Sequence, residues 1–439
     1  VSKQQHFGWF LARGFGPHGW GQPYLDWNYR WTEPGLYQQS VRDLEQAGFD
    51  LLIIEDAPSM GNASTIDLRI RQAFGGPKHD PLLLAPYLFD VTSNIGIAPT
   101  VNPAAYLPYT GARQFATLQH LSGNRLGLNV VTDTGSARHF GSEPPLSHDA
   151  AYDRAEEWIS GIRALWHSWS DDALIADPAR GRYADGSKLD AAQHRGDYYS
   201  FDGPLNAIPF AEGDPTIVSP GGSGRGLGFA GANSDVQLAL APLDVDSIRE
   251  YRARIHGAAI ERGRDPRDIS ILFAIQPVLV DSPEEAERLV AASSTPDDAV
   301  ILNVAERQSS DLETDLTTLD FEKPLDVSVF GEHVSQGSIK RLIGKFDPAT
   351  TPLKTLLAAQ ARLGRISDRS GFVGTAEEFA DLIEDLGESA DNDGILLWGD
   401  LHPVTVHRIL DQLVPILRRR GILRTEFGGG GLRANLRDF

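Results

Sequence analysis

The chain has 439 residues, of which 41% are hydrophobic and 23% charged, with a formal net charge of −20 and no cysteine. The length suits a decorated α/β barrel, and the acidity disfavours nucleic acid or an anionic membrane as partner. The missing thiols exclude disulfides, thiolate metal sites and cysteine nucleophiles. No basic segment followed by an apolar run opens the sequence, and no stretch approaches the roughly 18 apolar residues of a membrane span, so a cytoplasmic protein is expected.

Short apolar runs at 6–11, 50–55, 94–99 and 125–131 read as strands. They alternate with helix-like stretches at 35–47, 81–91, 108–121 and 150–169. The strand runs are apolar almost throughout, as in a parallel sheet covered on both faces. Further strands are expected at 215–219, 235–239, 269–280 and 393–398. The helices of these later units are a glycine-opened one after residue 220, then 245–262, 283–292 and 404–420. Eight strand–helix units predict a single (β/α)8 TIM barrel over residues 1–426. Two segments fall outside the repeat, 170–214 and 293–370, and are expected as insertions in βα loops that cover the active face or decorate the surface. Four consecutive glycines mark 427–439 as a flexible C-terminal arm.

Barrel chemistry sits at the C-terminal ends of the strands. The second strand ends in Glu55-Asp56-Ala57, the third in Pro99-Thr100-Val101-Asn102 and the fourth in Asn129-Val130-Val131-Thr132. The fifth runs into Pro220-Gly221-Gly222-Ser223-Gly224-Arg225-Gly226. Glycines and a serine before a helix N-terminus present backbone N–H groups to an anion, so this turn reads as a mononucleotide phosphate site or as a plain tight turn. It lacks the Lys-Ser/Thr ending of a Walker loop. Asn129, Thr132 and Thr100 are small polar groups suited either to a flavin edge or to capping the following helices. His18 lies in the first-strand loop among glycines and aromatics, whereas His79-Asp80-Pro81 and His148-Asp149 also fit helix starts. No His-x-His or His-Glu-x-x-His spacing occurs, so no metal site is expected. Trp9, Phe10, Phe15, Trp20, Trp27 and Trp31 crowd the first strand and its loop, as walls for an aromatic substrate or as ordinary packing.

In chain order, several short motifs recur at matching intervals. They include Gly48-Phe49-Asp50 leading into Ile54-Glu55-Asp56, Asp80-Pro81-Leu82, Pro108-Tyr109, and Leu121-Ser122-Gly123-Asn124-Arg125. Asn129-Val130-Val131-Thr132, Phe140-Gly141, His148-Asp149 and Tyr152-Asp153-Arg154-Ala155-Glu156-Glu157 follow. His194-Arg195-Gly196, Gly203-Pro204-Leu205, Val373-Gly374-Thr375 and Val414-Pro415 complete the set. Together they resemble the bacterial-luciferase-like flavin-dependent monooxygenases. The nearest group contains the nitrilotriacetate, EDTA and dibenzothiophene-sulfone enzymes, with the long-chain alkane monooxygenase nearby.

The resemblance implies the oxygenase component of a two-component system. Its cofactor would be FMN, supplied as FMNH2 by a separate NAD(P)H-dependent flavin reductase. One atom of O2 would enter a small organic substrate (aromatic, heteroaromatic or sulfone) through a flavin C4a-hydroperoxide, and the chain would form a homodimer or homotetramer. Carried over residue by residue, Asp56, Thr100 and Asn129 contact the flavin ring or ribityl chain. Tyr152 with Gly222 and Ser223 holds the phosphate with His148 nearby, and His18 serves the oxygenation step. Thr134 stands where the alkane enzyme has a second histidine, which weakens any transfer of its substrate. The alternatives are a deazaflavin-dependent hydride-transfer enzyme on the same barrel, a flavin-binding protein without turnover, and a metal-dependent barrel hydrolase.

Overall fold

The computed structural model describes residues 2–12, 30–71, 73–141, 145–331, 334, 336–363 and 371–439. Eight parallel strands build the centre: β1 (His6–Leu11), β2 (Leu51–Ile54), β3 (Gly96–Val101) and β4 (Gly127–Val130), then β5 (Thr216–Pro220), β6 (Val236–Ala239), β7 (Ser270–Leu279) and β8 (Gly394–Gly399). Each pairs with its neighbours in sequence, β1 also pairs with β8, and the sheet closes as the expected (β/α)8 barrel. Alternation explains why the strands carry almost no polar residues. In β2, Leu51 and Ile53 fill the interior with Ala98, Val218, Leu272 and Leu396, while Leu52 and Ile54 meet the helices.

The outer helices start where local chemistry satisfies their orphan amides. Proline opens Pro34–Ala47, Pro81–Phe89, Pro108–Leu121 and Pro403–Arg420. Asp80 accepts from Leu82 N and Leu83 N, and Ser147 caps His148–Trp166 by accepting from Ala150 N. The seventh unit differs from expectation. Pro283–Ser293 is a helix, but it packs on an extra strand, Gly371–Gly374, which extends the second half of the ten-residue β7. The seventh place in the helical ring, between Val245–Glu261 and Pro403–Arg420, belongs to Ala376–Ala390. That helix carries a capping box, Thr375 with Glu378, and an apolar face of Phe379, Ala380, Ile383 and Leu386, which fit it for the core.

Within 293–370, helices Asp298–Asp311, Gln336–Ile343 and Leu353–Ala361 share a small core of their own around Ile301, Leu325, Leu342 and Leu356. The 170–214 segment holds two short hairpins, one of which pairs His194–Arg195 with Ser200–Phe201. Glu157 ties that hairpin to its helix by accepting from the Tyr199 amide at 2.9 Å and lying 2.9 Å from His194 Nε2.

The tail 427–439, expected as a flexible arm, is folded under the barrel floor. Leu432 is fully buried, a side chain at Gly96 would collide with it, and one at Gly127 would collide with Ala98 beside it. Arg424 pairs with both Asp50 and Asp438 at 2.9 Å, while the Phe439 ring stacks on His6. An apolar plug and a buried ion network hold the segment, which the four-glycine run did not foreshadow. No helix among the described residues is long and apolar enough to cross a membrane.

Candidate active site at the barrel mouth

A cavity of about 490 Å³ opens at the C-terminal ends of β2, β3 and β4. It is lined by Asp56, Thr100, Asn102, Tyr106, Val131 and Asp133, with the segment 75–80 across it. Its size falls in the range of small-molecule and cofactor sites.

Two of the expected flavin-contacting residues, Asp56 and Thr100, line this cavity, and a third, Asn129, is bonded to Thr100. Thr100 donates its hydroxyl to Ile54 O at 2.7 Å, and Asn129 Nδ2 donates to Thr100 Oγ1 at 2.8 Å. The bonds run across adjacent strands, so barrel register fixes both side chains. Asn129 Oδ1 is buried and has no hydrogen-bond partner among the described residues. A buried acceptor left open is unfavourable unless a ligand or water meets it. Asp56 follows β2 and also lines the cavity.

The electrostatics around Asp56 come from burial, from Glu55 and Asp80, and from Lys78, which sequence spacing did not single out. Lys78 reaches Glu55 Oε2 at 2.6 Å, with the two side chains only 6% and 15% exposed. Burial pushes the Asp56 carboxyl up to about 7, with Lys78 pulling the other way and Glu55 and Asp80 adding to the rise. Asp80 and His79, read from sequence as a helix start, do serve that purpose in part. Asp80 caps Pro81–Phe89, while His79 Nε2 lies 3.1 Å from Trp31 O, and both side chains also line the cavity.

The remaining expected residues gather at the turn after β5. Ser223 caps helix Gly224–Asn233 by accepting from Gly226 N at 3.0 Å. His148 Nε2 lies 3.4 Å from Ser223 Oγ, and the His148 and Tyr152 rings meet edge to face at 5.2 Å. Burial raises the Tyr152 hydroxyl, opposed by hydrogen bonding with the side chains of Thr132 and Ser223. Thr132 therefore links the two halves, since its chain neighbours Val131 and Asp133 line the cavity. Gly221, at φ +128°, holds a backbone conformation strained for any other residue, and a Cβ there would also stand 3.0 Å from the Tyr152 hydroxyl. Side chains at Gly222 and Gly224 would meet nothing within 4 Å, so the turn is open. Arg225 is engaged by Asp153 and Glu156, and its charge acts on the Tyr152 hydroxyl.

His18, Phe15, Trp20 and Trp27 lie outside the described residues. Trp9 is fully buried in the packing between strands and helices, so it forms no substrate wall, whereas Phe10 is partly buried and faces the barrel interior. Among the described residues, no group of three or more His, Cys, Asp or Glu is placed to hold a metal ion.

Comparison with known proteins gives consistent relatives. A family model described as luciferase-like monooxygenase matches residues 6–393. A dibenzothiophene-sulfone monooxygenase of Rhodococcus erythropolis (strain XP) is 32% identical over 99% of this chain and 96% of its own. The crystal structure of a long-chain alkane monooxygenase superposes with a TM-score of 0.82 at 25% identity, covering 99% of this chain and 96% of its own. A riboflavin lyase, solved with modified FMN and riboflavin, also gives a TM-score of 0.82, at 28% identity over 100% and 96% of the two chains.

Proposed function

This chain belongs to the luciferase-like monooxygenase family, and on that premise we propose that it is the oxygenase component of a two-component system that takes reduced FMN from a separate NAD(P)H-dependent reductase. Such a pair works in the cytoplasm, where the nicotinamide pool reduces the flavin. The observation that carries the reading is the buried Asn129 Oδ1 beside Thr100, without a partner among the described residues, at the same barrel mouth as the open turn at Gly222 and Ser223. Polar edge contacts at one end and an amide-lined anion cradle at the other match the two ends of a flavin mononucleotide.

The residues divide the work accordingly. Ser223, the first-turn amides of its helix and Tyr152 hold the phosphate, with His148 beside them. Thr100 and Asn129 orient the ring or ribityl chain through a bond network already anchored on Ile54 O. Bound reduced flavin supplies the electrons and oxygen activation by which one atom of O2 enters a small organic substrate. The cavity walls, including Met60, Tyr106, Val131 and Phe140, exclude water and accept an apolar molecule, in keeping with an aromatic, heteroaromatic or sulfone compound. His18 is the proton-handling residue of this reading, on the strength of its place in the first-strand loop.

Titration of FMN and riboflavin against the unmodified protein and Ser223→Ala tests the assignment. FMN affinity should fall in the variant while riboflavin affinity, which lacks the phosphate contribution, stays the same. Equal FMN affinity in both proteins defeats the phosphate site.

A further inference from the structure

We infer that Asp56 stands in the cavity as a neutral carboxylic acid and donates its proton in a hydrogen bond to an acceptor atom on the edge of the bound flavin. The inference rests on the flavin reading above and specifies the protonation state and role of one of its residues.

Geometry carries the argument. Three carboxylates converge at this corner: Glu55 and Asp56 where β2 ends, and Asp80 at the start of Pro81–Phe89. Among the described residues Lys78 faces them and sits on Glu55 at 2.6 Å in a nearly water-free contact, while the charge of the Arg69 guanidinium acts on Glu55 and Asp133. Asp80 is already committed to the amides of Leu82 and Leu83. Asp56 is left at the cavity wall with the Ala57 amide and the more distant charge of Lys78, and forms no ion pair among the described residues. Like charges crowded in a poorly hydrated site cannot all ionise, and the proton settles on the least compensated one.

The other groups around the corner leave that outcome in place. His79, from the same segment as Lys78, directs Nε2 toward Trp31 O. Tyr106, after β3, is driven up by burial and by the charges of Asp80 and Asp56, so it stays a neutral hydroxyl. Asp133, after β4, is occupied by the amides of Gly135 and Ser136 and by the Ser136 hydroxyl, and brings a further negative charge to the wall. The resulting value of about 7 for Asp56 places the change between neutral acid and carboxylate within the working range of pH. A flavin edge is rich in carbonyl and ring-nitrogen acceptors, which a neutral acid can satisfy and a carboxylate repels.

The sign of the linkage is definite. If the flavin binds the protonated form, affinity is full below pH 7 and is lost as pH rises through it. Binding of FMN, followed by quenching of its fluorescence, should weaken about thirtyfold between pH 6 and pH 8.5 in the unmodified protein. Asp56→Asn keeps a neutral donor of the same shape, so its affinity should vary only as the phosphate of FMN itself titrates. The difference between the two proteins isolates Asp56. Infrared spectra at pH 6 should also show a neutral-acid carbonyl band that Asp56→Asn lacks. Identical pH profiles for the two proteins, or no such band, would overturn the inference while leaving the flavin site standing. Failure of the unmodified protein to bind FMN at any pH would instead remove the flavin reading and this inference with it.

Discussion

The Arg69 guanidinium grips Ser310 twice, its Nε donating to the hydroxyl at 2.6 Å and its Nη2 to the carbonyl oxygen at 3.0 Å. From the same guanidinium, Nη1 donates to Ser59 O at 2.6 Å, within the segment that lines the cavity. Ser59 N donates in turn to Ser136 Oγ, which bonds Asp133, and Asn102 Nδ2 donates to Asp133 O at 2.8 Å. A continuous polar chain thus joins the helix Asp298–Asp311 to two walls of the cavity. The helical segment has its own core, so this seat is made of directional bonds rather than shared apolar packing. Arg69→Ala should cost about 1.5–3 kcal/mol by denaturant unfolding and raise KM more than it lowers kcat, with Arg69→Lys only partly restoring both. Unchanged KM would separate the insertion from the site.

His18→Ala should leave FMN affinity intact and lower the yield of oxygenated product, read by mass spectrometry with a supplied reductase. A parallel loss of flavin affinity would move His18 from proton handling to cofactor binding.

The barrel floor offers a test of packing far from the chemistry. Leu432→Ala removes a fully buried side chain between Gly96 and Gly127 and should cost about 2–5 kcal/mol of unfolding free energy. Flavin affinity should be unaffected, because the site lies at the opposite end of the strands.

A pH effect on stability is expected from His407, which lies 2.9 Å from Asp43 and 3.2 Å from Asp411. The hydrogen bond to Asp43, partly opposed by burial and aided by Asp411, raises its pKa above 6.5. A raised histidine contributes stability that is complete below its unfolded value near 6.5 and disappears as pH rises through its folded value. The imidazole is 43% exposed, so solvent screens the pair and the effect is small. Thermal midpoints of the unmodified protein and His407→Asn should differ at pH 6 and converge by pH 8.5; a constant gap would show that charge plays no part.

Much of the barrel was legible because its strands are short apolar runs separated by helices with proline starts and polar caps, signals that lie within a few residues of one another. The 81–89 and 108–121 helices show this most clearly, with Pro81 and Pro108 at their first positions. The helix Ala376–Ala390 was equally readable from Thr375, Glu378 and its apolar face, but it was hidden behind the polar insertion that precedes it. The tail was misjudged because four glycines describe only local freedom, whereas Leu432 is held by a floor made of β3 and β4.

The same division runs through the site. Local order and the barrel's own geometry determined from sequence alone that Asp56, Thr100, Asn129 and Thr132 share one rim, since strand ends of a parallel barrel must point the same way. The glycine–serine turn before a helix was likewise written into Gly222 and Ser223. Only the folded chain decided what charge each residue feels. Lys78 is 23 positions from Glu55, and Ser310 lies 241 from Arg69, so neither partnership leaves a periodic trace. Burial and through-space charge depend on distance in three dimensions, and these raise the Asp56 carboxyl.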